Sequence, residues 1–249
     1  MVILVCNDDG IQSEGIRALE EVLKTVGEVY TVAPDREQNA VSHALTLHRP
    51  LRVQEIGERR FAVDGTPTDC VNLAVKGLLP VRPKLVVSGI NKGPNLGDDI
   101  TYSGTVSAAI EGAILGIPSI AVSIASHRDF SFQAAAEFTA ALAGRVLEQG
   151  MPPDTLLNVN VPPLPAHEIK GCRLTRQGKR RYGEAIVERV DPRGKKYYWI
   201  GGDDLGFVHE EGTDCVAVHE GFISVTPLHI DLTHYQSFQE IQALMLPWP

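Results

Sequence analysis

The feature that most constrains the fold is a series of short apolar runs that alternate with segments of helical periodicity. Residues 2–6 (VILVC) form a continuous apolar run, which is typical of a central strand covered on both faces. Apolar residues then recur at helical spacing from Ile16 to Val26, with Ser13 as the candidate N-cap, and residues 28–33 predict the next strand. This alternation predicts an α/β fold with a doubly wound, mostly parallel sheet.

The same alternation continues to about residue 161. The elements expected after the first unit are a hairpin over 50–64, a helix from Thr66 to about Leu79, strands over 84–90 and 118–124, a helix from Ser103 or Thr105 to Gly116, and an amphipathic helix over 131–148. A loop over the edge of the sheet is expected at 34–49, where polar residues show little periodicity.

The character of the chain changes after residue 161, where Pro162, Pro163 and Pro165 form a break. Residues 172–200 are rich in basic and aromatic residues and contain an Asp-Pro-Arg-Gly turn. This pattern predicts a long β-hairpin arm that projects from the body. A strand over 222–226 and a terminal helix over 234–245 are expected to close the fold.

Length and composition fit one globular unit. The chain has 249 residues, of which 43% are hydrophobic and 22% charged, so disorder and collagen-like repeats are excluded. We expect residues 1–161 to form the core and residues 162–249 to form a C-terminal extension of the same unit. The net charge of −8 lacks the overall basic footprint of a nucleic-acid-binding protein.

Localisation follows from the apolar runs and the cysteines. The longest apolar runs fall short of the roughly 18 residues that a membrane helix needs, and the first residues lack a basic region and a cleavage site. The four cysteines are scattered without a CxxC pair, which argues against a zinc knuckle and a disulfide scaffold. A reduced cytoplasmic protein, with neither membrane nor nucleic acid as a partner, is therefore expected.

Two adjacent acidic residues, Asp8 and Asp9, follow the first predicted strand directly. Ligands of open α/β sheets bind outside the carboxyl ends of the strands, and two carboxylates placed there repel each other unless a cation neutralises them. Oxygen ligands favour Mg²⁺, Mn²⁺ or Ca²⁺. The pair predicts a divalent-metal site, and the alternative is a solvated turn in which Asp9 caps the next helix.

Two further segments extend this prediction. Asn91 lies in a loop rich in Gly and Asn after a second buried strand, where a neutral oxygen would complete a metal site. Residues 103–107 (SGTVS) begin a helix, and free N–H groups at a helix N-terminus bind anions, although an ordinary Ser or Thr cap would look the same. Together, the three segments predict metal-assisted hydrolysis of a phosphate ester.

Five segments that span nearly the whole sequence carry a resemblance to a known family: ILVCNDDGIQSEGI, VAPDREQNAVSHALTL, DGTPTDCVNLA, VVSGINKGPNLGDDITYSGTVSAAIEGA and ISVTPLHIDLT. In these segments the chain resembles the survival protein E (SurE) family of nucleotidases. The resemblance implies a Rossmann-like core, one divalent cation per subunit (Mg, Mn or Ca) and hydrolysis of nucleoside 5′-monophosphates. Nucleoside 3′-monophosphates are a further expected substrate class.

The resemblance also implies roles for individual residues. The expected metal ligands are Asp8, Asp9, Asn39 and Asn91, and the first two are the expected catalytic residues. Position 39 departs from the family, which often has Ser there, but Asn supplies an oxygen of similar hardness. The residues expected on the phosphate side are Asn95, Ser103, Gly104, Thr105 and Ser107.

Two other classes of protein also have an acidic pair after the first strand. A haloacid-dehalogenase-like phosphatase also begins with acids after its first strand, but it needs a second Asp two residues after the nucleophile, and Gly10 stands at that position relative to Asp8. A receiver-like signalling domain also binds Mg²⁺ with such a pair. It needs a phosphorylatable Asp at the end of its third strand, where this chain has Asn91.

The sequence of the predicted arm indicates that the protein associates with itself. Its run Lys179-Arg180-Arg181 with nearby aromatic residues is also typical of a nucleic-acid-binding patch. We favour contacts with a second copy instead, because a lone hairpin would expose its apolar side and because the family is similar in using such extensions to build dimers and tetramers. A homo-oligomer formed through the arm and the C-terminal region is therefore expected. His43 is expected at the surface.

Overall fold

The computed structural model describes residues 1–126, 128, 131–183, 186–200 and 204–245. The strands, in chain order, are β1 (Val2–Cys6), β2 (Glu28–Pro34), β3 (Val53–Gly57), β4 (Arg60–Val63), β5 (Leu85–Lys92), β6 (Ser119–Ile124), β7 (Thr155–Val161), β8 (Cys172–Leu174), β9 (Arg180–Tyr182), β10 (Ile186–Val190), β11 (Lys196–Ile200), β12 (Asp204–Phe207) and β13 (Ile223–His229).

The α-helices are α1 (Glu14–Leu23), α2 (Pro67–Leu73), α3 (Gly104–Ile114), α4 (Gln133–Gln149), α5 (Asp214–His219) and α6 (Phe238–Gln242). A π-helical turn over Ala74–Leu78 extends α2. Short 3₁₀ turns lie at Gly97–Thr101, Ala166–Glu168 and Tyr235–Ser237. Among the described residues, no helix has both the length and the apolar character needed to cross a bilayer.

Nine strands form one sheet in the order β3-β4-β2-β1-β5-β6-β7-β13-β8. The six strands from β4 to β7 run parallel, and β3 and β13 each lie antiparallel to a neighbour. The chain passes from β1 to β2 on one side and, after β3 and β4, crosses back to β5 on the other side of β1. The order therefore reverses between β1 and β5, and this reversal creates a crevice at their carboxyl ends. The mostly parallel α/β fold predicted from the sequence is confirmed.

Helices cover both faces of the sheet, as a doubly wound fold requires. On one face, α1 and α4 contribute to an apolar cluster that includes Ile3 and Val5 of β1. On the other face, α2 and α3 contribute to a cluster that includes Leu4 and Cys6 of the same strand. Because side chains alternate along a strand, a continuous apolar run is the sequence that buries both faces.

Side-chain caps set the starts of several helices where the sequence indicated them. Ser13 caps α1, and Thr66 and Asp69 form a capping box at α2. Ser103 caps α3, so the helix begins at Gly104. The terminal helix is much shorter than expected: α6 spans Phe238–Gln242 after a 3₁₀ turn, rather than residues 234–245.

The arm is also shorter than the sequence suggested. Residues 172–182 lie against the body: β8 joins the main sheet beside β13, and Thr175 is buried. The projecting part is the antiparallel pair β10 and β11, in which every residue is exposed. Basic and aromatic composition did not reveal where packing against the body ends. Neither β12, which pairs with β9, nor α5 was predicted.

Candidate active site

The turn after β1 places Asp8 and Asp9 at the crevice where the strand order reverses. The Asn7 amide nitrogen donates to the carbonyl oxygen of Gly10 at 3.1 Å and to the Ser13 hydroxyl at 2.8 Å, which ties the turn to the start of α1. Gly10 has a φ of +90°, and a Cβ on it would lie 3.0 Å from the Arg36 carbonyl carbon. Only glycine fits this turn without strain.

Asp8 is buried against the N-terminus of α3. Its Oδ1 accepts a hydrogen bond from the Thr105 hydroxyl. Gly104 allows this approach, since a Cβ there would lie 2.7 Å from the Asp8 Cβ. Burial raises the pKa of Asp8 to about 6, the charge of Asp9 adds to the rise, and the hydrogen bond from Thr105 opposes it. Asp8 is therefore a carboxylate whose ionised form lacks a full counter-charge.

Asp9 lies next to the end of β5. The backbone N–H of Lys92 donates to Asp9 Oδ2 at 3.2 Å. Burial raises the pKa of Asp9, the Lys92 hydrogen bond and charge lower it, and the negative charge of Glu37 raises it. Asn91 precedes this contact, and its amide nitrogen donates to the Gly93 carbonyl at 2.9 Å. The carbonyl oxygen of the Asn91 side chain is thus the atom left to bind a cation.

Asn39 lies in the exposed loop after β2. Its side-chain nitrogen donates to the Glu37 carboxylate. The loop itself is fixed beside the acidic pair, because the backbone N–H of Gln38 donates to the Asp8 carbonyl at 2.8 Å. The structure therefore places the exposed Asn39 one residue from a direct contact with Asp8.

The residues expected on the phosphate side cluster at the start of α3 and in the loop before it. Ser103 accepts from the Val106 N–H at 3.0 Å, and Ser107 donates to the Ser103 carbonyl at 2.6 Å. Asn95 is buried, and its amide nitrogen donates to Ser123 at 2.7 Å. These side chains hold the loop and the helix start together, and their phosphate-binding role stays a prediction.

Sequence reasoning missed a set of residues that hold the site. Asn158 and Asn160 on β7 both donate to the Asn95 carbonyl, at 2.8 and 2.9 Å, and Asn160 Oδ1 accepts from the Asn95 N–H at 2.8 Å. Their signal was present, since two polar residues spaced by two interrupt an otherwise apolar strand and so share one face. Asp214 also contacts this loop, through Gly97.

A second missed cluster lies farther along α3. His43 Nε2 is 3.0 Å from Glu111 Oε2, and Asn72 donates to Glu111 Oε1 at 2.5 Å. Glu111 is 4% exposed, and the pKa of its carboxyl is lowered, chiefly by the contact with His43. His43 is exposed, as expected from the sequence, and its contact with Glu111 ties the loop after β2 to α3.

The donor atoms in the crevice fit a hard divalent cation. Asp8 and Asp9 are adjacent carboxylates whose pKa values are both raised by burial, and a cation would offset the cost of keeping them ionised. Asn91 adds a neutral oxygen, and an all-oxygen set suits Mg²⁺, Mn²⁺ or Ca²⁺. The N-terminus of α3 adds a partial positive charge beside the pair, where a phosphate would lie.

Comparisons with known proteins identify the family to which the chain is similar. A family model described as "Survival protein SurE" matches residues 3–184. A protein of Geobacter sulfurreducens named "5'-nucleotidase SurE" is 61% identical over 98% of this chain and 93% of its own length. A protein of Syntrophotalea carbinolica with the same name is 57% identical over 96% and 95%. The crystal structure of the SurE protein from Aquifex aeolicus superposes with a TM-score of 0.89 at 50% identity, covering 98% of this chain and 99% of that one.

Proposed function

The chain belongs to the survival protein SurE family, and from that premise we propose that it is a divalent-metal-dependent 5′-nucleotidase. It hydrolyses nucleoside 5′-monophosphates to nucleoside and inorganic phosphate, and nucleoside 3′-monophosphates are the second substrate class to test. The observation that carries this proposal is the adjacent pair of a buried Asp8 and a partly buried Asp9 in the crevice between β1 and β5, directly beside the N-terminus of α3.

One divalent cation per subunit would be held by Asp8, Asp9, Asn39 and Asn91. When bound, such a cation supplies positive charge that polarises a phosphoryl oxygen. Asn39 completes the set from the loop after β2, which the Gln38–Asp8 backbone bond already holds beside the pair. The identity of the cation, Mg, Mn or Ca, is decided by restoring each one to the metal-free protein in the experiment below.

The protein's own groups orient the phosphate. The Thr105 hydroxyl fixes the Asp8 carboxylate, so Asp8 keeps one orientation. The first turn of α3, with Ser103, Gly104, Thr105 and Ser107, presents the positive end of the helix dipole to the phosphoryl oxygens, and Asn95 lies in the loop that leads to it. These five residues are the proposed phosphate-binding group. Neither alternative class, the haloacid-dehalogenase-like phosphatase or the receiver-like domain, is favoured by an observation.

We further propose that the protein is a homo-oligomer, a dimer or a tetramer, joined through the arm and the C-terminal region. Trp199 and Ile200 of the arm are 64% and 92% exposed. The C-terminal segment is similarly apolar and uncovered, with Leu232, Phe238, Ile241, Leu244 and Met245 all exposed. Surfaces of this kind are typical of contacts between subunits. The cytoplasm is the proposed compartment, in keeping with four free cysteines.

Phosphate release from a panel of nucleoside 5′- and 3′-monophosphates tests the proposal. We expect no release in excess chelator and full recovery when Mg²⁺ or Mn²⁺ is restored, because the donors are all oxygens. Asp154→Asn is the control, since it removes one exposed carboxylate at the opposite end of β7 and keeps a residue that tolerates the φ of +55° at that position. Undiminished turnover in excess chelator would refute the metal dependence, and no release from any nucleotide would refute the nucleotidase.

A further inference from the structure

Asp214 is a buried carboxylate outside the predicted site. It lies in the first turn of α5 and is 1% exposed. Its Oδ2 accepts from the backbone N–H of Gly97 at 2.9 Å, and its Oδ1 accepts from those of Gly178 and Cys215 at 2.8 and 2.7 Å. Burying a charge is costly unless hydrogen bonds compensate it, and three N–H donors do so here. The carboxylate therefore joins two loops that lie far apart in the sequence.

Gly97 is held by this carboxylate on one side and by Gln177 on the other. The Gln177 amide donates to the Gly97 carbonyl at 3.2 Å, so both polar groups of the Gly97 backbone bond to the C-terminal segment. Gly97 has a φ of +53°, and a Cβ on it would lie 3.0 Å from the Gly178 carbonyl oxygen. The two backbones thus meet at a distance that a side chain would prevent.

The position of Gly97 in the chain gives this contact its importance. Gly97 stands midway between Asn91, a proposed metal ligand, and Ser103, which caps α3. On the upstream side, Asn95 is fixed by Asn158 and Asn160. Between Asn95 and Ser103, α5 and the root of the arm hold the loop at the Gly97 backbone, and the root also holds it at Asp99, whose Oδ2 lies 3.3 Å from Arg180 Nε.

We propose that Asp214 is a positioning residue for the nucleotidase reaction: its carboxylate fixes the loop from Asn91 to Ser103 and, through it, the groups that bind metal and phosphate. This inference rests on the proposed function. A carboxylate is required because it only accepts hydrogen bonds. An Asn side chain of the same shape has one accepting oxygen, and its NH₂ group would face a backbone N–H, so at least one of the three bonds is lost.

The test compares Asp214→Asn with a control of ordinary instability. Val146→Ala is that control, because Val146 is buried on α4 in the apolar cluster of Ile3 and Val5, on the face of the sheet opposite to α3. It is expected to lower the melting temperature without touching the loop. Three quantities are measured for both variants: hydrogen–deuterium exchange of residues 93–101, Mn²⁺ affinity by electron paramagnetic resonance, and kcat/KM on a nucleoside 5′-monophosphate.

For Asp214→Asn we expect exchange at Gly97 to accelerate about tenfold or more, as the loss of a hydrogen bond to a charged group allows. We also expect Mn²⁺ to bind several-fold more weakly and kcat/KM to fall about tenfold, with part of kcat recovered at saturating Mn²⁺. Val146→Ala should change none of these. A lower melting temperature in Asp214→Asn, with exchange, Mn²⁺ affinity and kcat/KM all at parent values, would overturn the proposal.

A second variant and the parent protein provide two further outcomes. If Asp214→Asn does not fold, Gln177→Ala removes the other bond to Gly97 from a more exposed side chain, and exchange over 93–101 must then rise by a smaller factor. Parent-like exchange in that variant would also overturn the proposal. If the parent hydrolyses no nucleotide, the proposed function fails, while the exchange and Mn²⁺ comparisons still show whether Asp214 holds the loop.

Discussion

The core sheet and the arm are both built from β-strands, but they differ in how those strands are covered. Every residue of β1 and β6 is buried between helices, whereas every residue of β10 and β11 is exposed. A two-stranded ribbon is marginally stable alone in water, so we expect the arm to need contacts from a second copy of the chain, whereas the core strands are already covered by helices.

We expect the same division to separate catalysis from subunit assembly. The acidic pair, Asn91 and the start of α3 all belong to the core, and the arm strands contribute no contact to them among the described residues. The root of the arm is the exception, because Gln177 and Gly178 lie against the loop that Asp214 fixes. This difference predicts that substitutions in the core change the catalytic rate and that substitutions in the arm change the oligomeric mass.

The largest effect is expected at the acidic pair. Asp8→Asn and Asp9→Asn should each lower kcat about a thousandfold or more, since each removes a charge that we propose binds the cation. The fold should survive, and the metal-free protein should be as stable as the parent or more stable, because repulsion within the pair is relieved. Steady-state kinetics at saturating Mg²⁺ and thermal unfolding measure both. Near-normal kcat in either variant would refute the assignment of catalysis to the acidic pair.

Removal of the arm should have the complementary effect. Replacing residues 186–200 with a short Gly-Ser linker deletes β10 and β11 but keeps the root that contacts Gly97. We expect sedimentation to show a smaller assembly, with a melting temperature close to that of the parent because the arm adds little to the core. An unchanged oligomeric mass would show that the arm is not the subunit contact.

Asn39 tests the outer edge of the site. Asn39→Ser keeps a neutral hard oxygen but is shorter, so metal affinity should fall about tenfold, or about 1.4 kcal/mol, with kcat at saturating metal nearly kept. Asn39→Leu has no donor and should lose considerably more. Calorimetric titration with Mn²⁺ measures both variants. Parent-like affinity in the Leu variant would leave the cation to Asp8, Asp9, Asn91 and water.

The smallest effect is expected at Glu111. Because its pKa is lowered in the folded state, chiefly by His43, ionised Glu111 stabilises the fold above its ordinary pKa, and this contribution is lost as the pH falls through the lowered value. Glu111→Gln should therefore cost about 1 kcal/mol near pH 7, and the difference from the parent should shrink below about pH 4. Thermal unfolding across pH measures it, with the exposed Glu148→Gln as control. A pH-independent difference would contradict this account.

Local patterns in the sequence determined much of the core. Continuous apolar runs specified the buried strands, Ser13 and Ser103 specified helix starts, and the acidic pair at a strand end specified the place of the candidate site. Each of these signals lies within a few residues of the structure it produces. The arm was over-extended because composition alone does not distinguish an exposed strand from one that packs on the body.

Contacts between distant parts of the chain were decided only by the tertiary structure. The Thr105–Asp8 bond spans 97 residues and the Asp214–Gly97 bond spans 117. Each joins a side chain to a partner that the sheet order brings near, and such pairs leave no periodic signature in the sequence. The sequence around Asp214 indicates only an ordinary first-turn residue of a short helix. The placement of α5 beside the loop is what makes its carboxylate the acceptor for Gly97. The physical reason is that hydrogen bonding depends on position in space, whereas sequence patterns record only neighbours along the chain.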